Sequence, residues 1–201
     1  MSRIGILGGT FNPIHNGHIM LAQYCKNEVQ LDKIILVPTC TPPHKSNKHL
    51  ADESHRLKMC SLASNGIKGF EVSDVEIRRK GKSYTYETLS YFKEIYPDDE
   101  LYFIMGADMF LSLHSWKNPE VIFSLSNIIA IPRDESNIAD LQSYYSSVIQ
   151  PMGAKAVILP NSVKQVSSTQ IRDNINNKNI IKSLIDENVL DYIEKNNLYR
   201  M

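Results

Sequence analysis

No charge of one sign dominates this 201-residue chain: 22 Lys and Arg residues stand against 22 Asp and Glu, for a formal net charge of zero. Surfaces built to hold nucleic acid or an anionic bilayer normally carry a basic excess, so the chain is expected to bind no nucleic acid and no membrane. Long apolar runs are absent too. None approaches the roughly 20 residues of a membrane span, and strand residues starting at Arg3 do not fit a secretory leader. Cysteine is scarce: Cys25, Cys40 and Cys60 share no metal or redox spacing. That reads as reduced thiols in a cytoplasmic protein, with no resident metal site. Two familiar phosphate signatures are missing as well. Gly5, Gly8 and Gly9 are wrongly spaced for both G-x-x-x-x-G-K-[ST] and G-x-G-x-x-G, which weighs against kinases, ATPases and typical dehydrogenases.

What the chain does have begins at its start. The apolar run Ile4-Gly5-Ile6-Leu7 stops at Gly8-Gly9, a turn follows through Asn12-Pro13 and Asn16-Gly17, and helical spacing then takes over at Leu21, Cys25 and Val29. Strand, glycine turn and helix N-terminus together make an anion site: glycines let backbone N–H groups approach and the helix dipole favours negative charge. Lys33–Pro38 reads as a buried parallel strand, which completes a βαβ unit. A long polar connection follows over 39–53, and such loops are often functional. Beyond it the pattern predicts a helix near 54–65, an extended pair at Phe70–Val75 and Val75–Arg78, and a solvated turn at Arg78–Lys82. Further helices are expected at Thr85–Ile95, Ala107–Leu113, Pro119–Leu125 and near 138–149, with strands at Leu101–Gly106, Asn127–Pro132 and Ala156–Pro160. Helical spacing returns at Ile185, Val189 and Ile193. The alternation predicts one α/β domain over residues 1–201, with a Rossmann-like, doubly wound, mainly parallel sheet, helices on both faces and a helical part from about 167 to 201.

Three places offer chemistry. His15 and His18 flank the first helix start, where they read as loop-capping histidines, as a zinc pair lacking a nearby Cys or carboxylate, or as partners of a bound phosphate. A helix N-terminus repels imidazolium, so an anion must lie there if either ring is to hold a proton. Late in the chain, Ser167 and Gln170 fit a capping box that starts a helix. Arg172 then falls in the first turns, where the dipole disfavours a cation unless polyphosphate is bound beside Ser168 and Thr169. Gly106-Ala107-Asp108 follows a buried strand at its carboxyl end, where open α/β sheets place ligands; Asp108 suits ribose hydroxyls or a helix N-cap. Trp116, the single tryptophan, fits a core anchor or a stacking platform.

At these residues the chain resembles the nucleotidylyltransferase superfamily, through Gly8-Gly9-Thr10-Phe11-Asn12-Pro13-Ile14-His15-Asn16-Gly17-His18 and Ser167-Ser168-Thr169-Gln170-Ile171-Arg172. Pro42-Pro43-His44-Lys45, Lys82-Ser83-Tyr84-Thr85, Ile104–Asp108, Trp116 and Asn197-Leu198-Tyr199-Arg200 are similar to the bacterial nicotinate-mononucleotide adenylyltransferases, with Asn12 standing where many members carry Asp. The resemblance implies transfer of the adenylyl group of ATP to nicotinate mononucleotide with Mg²⁺, giving nicotinate adenine dinucleotide and pyrophosphate in NAD synthesis. It implies catalytic roles for His15 and His18 at the ATP phosphates. It places ATP on Gly8, Gly9, Thr10, Phe11, Lys45, Gly106, Asp108, Ser168, Thr169 and Arg172, and the acceptor on Tyr84, Thr85, Trp116 and Arg133. Assembly of identical copies is compatible with the sequence. The rivals are a sister enzyme acting on nicotinamide mononucleotide or phosphopantetheine, and a non-catalytic nucleotide sensor.

Overall fold

A sheet whose strands are apolar on both faces must be covered on both, and that condition sets the architecture. The computed structural model describes residues 1–41, 50–134, 136, 138–161 and 166–200. Its strands are β1 (Arg3–Gly9), β2 (Lys33–Pro38), β3 (Phe70–Val72), β4 (Glu100–Gly106), β5 (Ser126–Ile131) and β6 (Ala156–Ile158). They form one sheet in the order β3-β2-β1-β4-β5-β6, and every pairing is parallel. This is the predicted doubly wound arrangement. The order reverses between β1 and β4, and ligands of such sheets bind in the crevice outside the strand ends at that reversal.

Alternate side chains feed two cores. Leu7, Ile34, Leu36, Tyr102, Ile104, Ile129 and Ile131 point to one face, under helices α1 (Asn16–Glu28) and α2 (Glu53–Ser64). Ile4, Ile6, Ile35, Val37, Leu101, Phe103, Met105, Ile128 and Ala130 point to the other. That second face is covered by α3 (Val75–Arg79), α4 (Thr85–Ile95), α5 (Ala107–Leu111), α6 (Pro119–Leu125) and α7 (Ile138–Tyr144), the last followed by a π-helical turn at Tyr145–Ile149. The C-terminal helices α8 (Ser168–Asp173), α9 (Lys178–Ile181) and α10 (Glu187–Lys195) return to the first face, where Ile171, Ile181, Ile185, Val189 and Ile193 join the core. Among the described residues no helix is long and apolar enough to cross a membrane.

One expected element is wrong. Val75–Arg78 is not extended: Val75–Arg79 forms a one-turn helix that ends at Lys80, whose φ is 60°. Its hold is tertiary, because the Glu76 carboxylate, buried beneath it, accepts from the Thr88 hydroxyl at 2.6 Å. The solvated turn shrinks accordingly, with Arg78 and Arg79 inside the helix.

Candidate active site

The end of β1 is where the chain narrows to fit. A Cβ on Gly9 would meet the Phe11 ring at 2.9 Å, and one on Gly17 would meet the Val166 Cβ at 3.0 Å and the His15 Nδ1 at 3.2 Å. The first glycine therefore admits Phe11, held at φ 47°, and the second lets the start of α1 press against the residue that leads into α8. At Gly8 and Gly106, by contrast, a Cβ finds at most one atom of the described residues within 4 Å, the Phe103 ring at 3.8 Å from Gly8. Among the described residues the ends of β1 and β4 thus stay open where the strand order reverses.

The two histidines are stacked, with ring centroids 3.6 Å apart, but their surroundings differ. His15 caps α1, is only 5% exposed and has an Nδ1 without a hydrogen-bond partner among the described residues. Burial lowers its pKa to about 4, so the ring is neutral at pH 7. His18 is half-buried; its Nδ1 accepts from the His15 N–H at 3.3 Å, and the Phe11 ring meets it edge-on at 5.0 Å. A neutral ring that accepts at Nδ1 carries its proton on Nε2, the nitrogen then suited to donate to a phosphate oxygen.

The late motif closes on this turn, 155 residues and more from it in sequence. The Ser168 hydroxyl donates to the Pro13 carbonyl at 2.9 Å, and Arg172 donates to the Asn12 carbonyl at 2.7 Å and to the Thr169 hydroxyl at 3.0 Å. Two local expectations are corrected. The Ser167 hydroxyl caps the Thr169 N–H at 3.2 Å, and no reciprocal bond from Gln170 completes a box. Helix α8 is only six residues long, so Arg172 lies in its last turn, where the dipole favours a cation. The conflict that phosphate was expected to relieve does not exist, and what sets Arg172 apart is its convergence with the histidine turn.

On the β4 side, Gly106 caps α5, and Asp108 stands exposed in its first turn, ion-paired with Arg133 beyond β5. Arg133 therefore stands beside Asp108, just past the end of β5. Tyr84 is the residue before α4, and Thr85 opens that helix. Their segment is tied to the end of β2: the Cys40 N–H donates to Ser83 Oγ at 3.0 Å and the Ser83 N–H to the Thr41 carbonyl at 3.3 Å. Half-buried Trp116 packs edge-on against Phe103, and the ammonium of its neighbour Lys117 lies 4.3 Å from the Tyr84 ring centre, so the Tyr84 and Trp116 segments adjoin. The Lys45 assignment falls on residues 42–49, outside the described residues.

Three residues that sequence reasoning left without a role hold this turn from below. The Asn12 side-chain oxygen accepts from the Ala51 N–H at 3.0 Å and from the Tyr199 hydroxyl at 2.8 Å, and Arg56 donates to the carbonyls of Thr10, Cys40 and Ala51. Tyr199 belongs to the Asn197-Leu198-Tyr199-Arg200 motif, which by itself names no task for it, and Arg56 offers no signal, since an Arg in a helical pattern reads as a surface residue.

A Rossmann-type sheet, with a His-containing glycine turn and a Ser/Thr/Arg helix meeting at its strand reversal, defines a nucleotidyl-transferring class of α/β protein. The model of the cytidylyltransferase-like family matches residues 6–174. Along its full length the chain is 38% identical over 200 residues to a protein of Clostridium botulinum (strain Eklund 17B / Type B), covering 99% of that relative. It is 39% identical over 203 residues to one of Desulfitobacterium hafniense (strain Y51), covering 99% of this chain and 96% of the relative. Both are named "probable nicotinate-nucleotide adenylyltransferase". Among solved structures, the Plasmodium falciparum nicotinic acid mononucleotide adenylyltransferase complexed with NaAD superposes with a TM-score of 0.75 at 26% identity, covering 99% of this chain and 98% of that one. The chain belongs to the cytidylyltransferase-like family, in its nicotinate-nucleotide adenylyltransferase branch.

Proposed function

We propose that this enzyme transfers the adenylyl group of MgATP to nicotinate mononucleotide, releasing pyrophosphate and forming nicotinate adenine dinucleotide. The observation that carries the reading is the pair of hydrogen bonds from Ser168 and Arg172 to the Pro13 and Asn12 carbonyls, which bring both family motifs to the strand reversal beside His18. In this reading a phosphate oxygen of the mononucleotide attacks the α-phosphorus of ATP in line. The bond to the β-phosphate oxygen breaks, and pyrophosphate leaves with the electron pair. No protein nucleophile takes part, so the residues align two anions and offset charge as it spreads.

Gly8, Gly9, Thr10 and Phe11 frame the nucleotide, His18 donates from Nε2 to the reacting phosphate, and Ser168, Thr169 and Arg172 hold the departing pyrophosphate. Neutral, buried His15 orients His18 rather than donating directly, which refines the equal catalytic roles expected for the two. Gly106 and Asp108 line the nucleotide pocket, with Arg133 paired to Asp108. Tyr84, Thr85 and Trp116 receive the acceptor, its carboxylate at the start of α4 and its ring on the indole. Mg²⁺ enters with ATP as part of the substrate, and the helical part over 167–201 works within the same domain as the sheet.

The test incubates the purified protein with MgATP and, separately, nicotinate mononucleotide, nicotinamide mononucleotide and phosphopantetheine, and follows pyrophosphate release. Release that is fastest with nicotinate mononucleotide is expected. Release only with phosphopantetheine reassigns the acceptor, and none with any acceptor removes the catalytic reading.

A further inference from the structure

Arg56 is the largest of the fully buried side chains, with no exposed surface, and it lies on α2 rather than on any element of the family motifs. Its three donor groups go to three backbone carbonyls: Nη1 to Thr10 at 2.9 Å, Nη2 to Cys40 at 3.0 Å and Nε to Ala51 at 3.0 Å. These carbonyls belong to the glycine turn, to the exit of β2 and to the approach to α2. Burying a guanidinium among neutral acceptors carries a desolvation penalty, offset here only because its three nitrogens all donate to carbonyls that an apolar side chain would leave unpaired. What an apolar side chain cannot do is fix three peptide planes at once, a task suited to a rigid planar fork.

One of those planes leads to the chemistry. The Thr10–Phe11 peptide is trans, so a carbonyl turned toward Arg56 aims the Phe11 N–H away from it. Phe11 itself is held at φ 47°, a conformation that is strained for a bulky residue and persists only where its surroundings enforce it. In that conformation its ring is 2% exposed, packs on Gly9 and meets His18 edge-on at 5.0 Å. The geometry points to Arg56 as a positioning residue for adenylyl transfer, setting the Thr10–Phe11 peptide and, through the Phe11 ring, the imidazole of His18. The proposal rests on the function given above and adds a residue that touches neither substrate.

The test compares Arg56→Lys and Arg56→Ala with Ile149→Ala, a core truncation on the opposite face of the sheet that provides a matched loss of stability. Well below each melting temperature, both Arg56 variants are expected to lose on the order of tenfold or more in kcat, with KM for nicotinate mononucleotide within about twofold of wild type. Added guanidinium should restore part of the activity of Arg56→Ala, and Ile149→Ala should keep its kcat. Arg56 variants that lose melting temperature but retain wild-type kcat overturn the proposal. If Arg56→Ala does not fold, Arg56→Lys decides alone. A second readout needs no turnover: the His18 Cε1–H NMR resonance of the ligand-free protein should move in Arg56→Lys, and an unmoved resonance overturns the proposal even if wild type proves inactive toward every acceptor. Wild-type inactivity with a moved resonance instead counts against the assigned reaction and leaves the positioning role supported.

Discussion

His15 and His18 sit three residues apart on the start of one helix, yet only His18 is placed to meet solvent or ligand. His15 has its pKa lowered to about 4 by burial, against an ordinary value of 6.5. The unfolded chain therefore binds a proton that the native ring refuses, and the stability held at neutral pH is lost as pH falls from about 6.5 toward about 4. Between pH 7 and pH 5 this one ring should cost about 2 kcal/mol of unfolding free energy. Urea titrations at the two pH values should show the drop in the free protein and a shallower one in His15→Gln. A slope unchanged by the substitution would mean that other groups carry it. At His18 the expectation is kinetic. If Nε2 donates to the reacting phosphate, its bond strengthens as charge develops, and His18→Ala should lower kcat by on the order of 10²-fold or more with little change in either KM. Steady-state kinetics check this, and a variant altered only in KM would relegate His18 to ground-state binding.

At the scale of elements, the active site depends on how closely α1 and α8 approach, and Gly17 is the contact that permits it. Alanine normally favours a helix over glycine by about 0.5–1 kcal/mol, but here the added methyl would lie 3.0 Å from the Val166 Cβ and 3.2 Å from His15 Nδ1. A branch-point carbon next to the main chain yields less readily than the tip of a long side chain. Gly17→Ala should therefore push α8 outward, raise KM for ATP by roughly threefold to tenfold, and gain nothing in melting temperature. A more stable variant with unchanged kinetics would show that α8 is not held by this contact. The same distinction between local and long-range causes explains what the sequence revealed. Strands β1, β2, β4 and β5 were legible because a strand buried on both faces is written as a continuous apolar run, and the glycine turn because close approach leaves glycine as its only trace. The helix at Val75–Arg79 is not legible, because a single turn opening on a β-branched residue looks extended, while the buried Glu76–Thr88 bond that secures it spans 12 residues. Arg56 was invisible for a related reason: its bond to Thr10 spans 46 residues, and nothing in its local pattern marks a charge for burial.

Over the whole molecule, the two faces of the sheet supply two sets of residues at the reversal between β1 and β4, where such sheets form their ligand crevice. One flank, on the sheet face that α1 covers, holds the histidines and α8; the other, on the face that α4 covers, holds Tyr84, the start of α4 and Trp116, backed by Phe103 from β4. Two substrates bound one to a flank should be separable by mutation. Trp116 allows that to be tested without a label, because it is the only tryptophan in the chain and its fluorescence reports on one flank alone. If the indole stacks on the pyridine ring, nicotinate mononucleotide should quench its emission while ATP leaves it nearly unchanged. Losing such a stack removes about 1–2 kcal/mol, so Trp116→Ala should weaken the mononucleotide roughly tenfold with ATP affinity kept within about twofold. Isothermal titration of each ligand would settle the second point. Equal weakening of both ligands would mean that Trp116 supports the crevice as a whole. Quenching by ATP alone would put the nucleotide on the flank assigned here to the acceptor and exchange the two subsites.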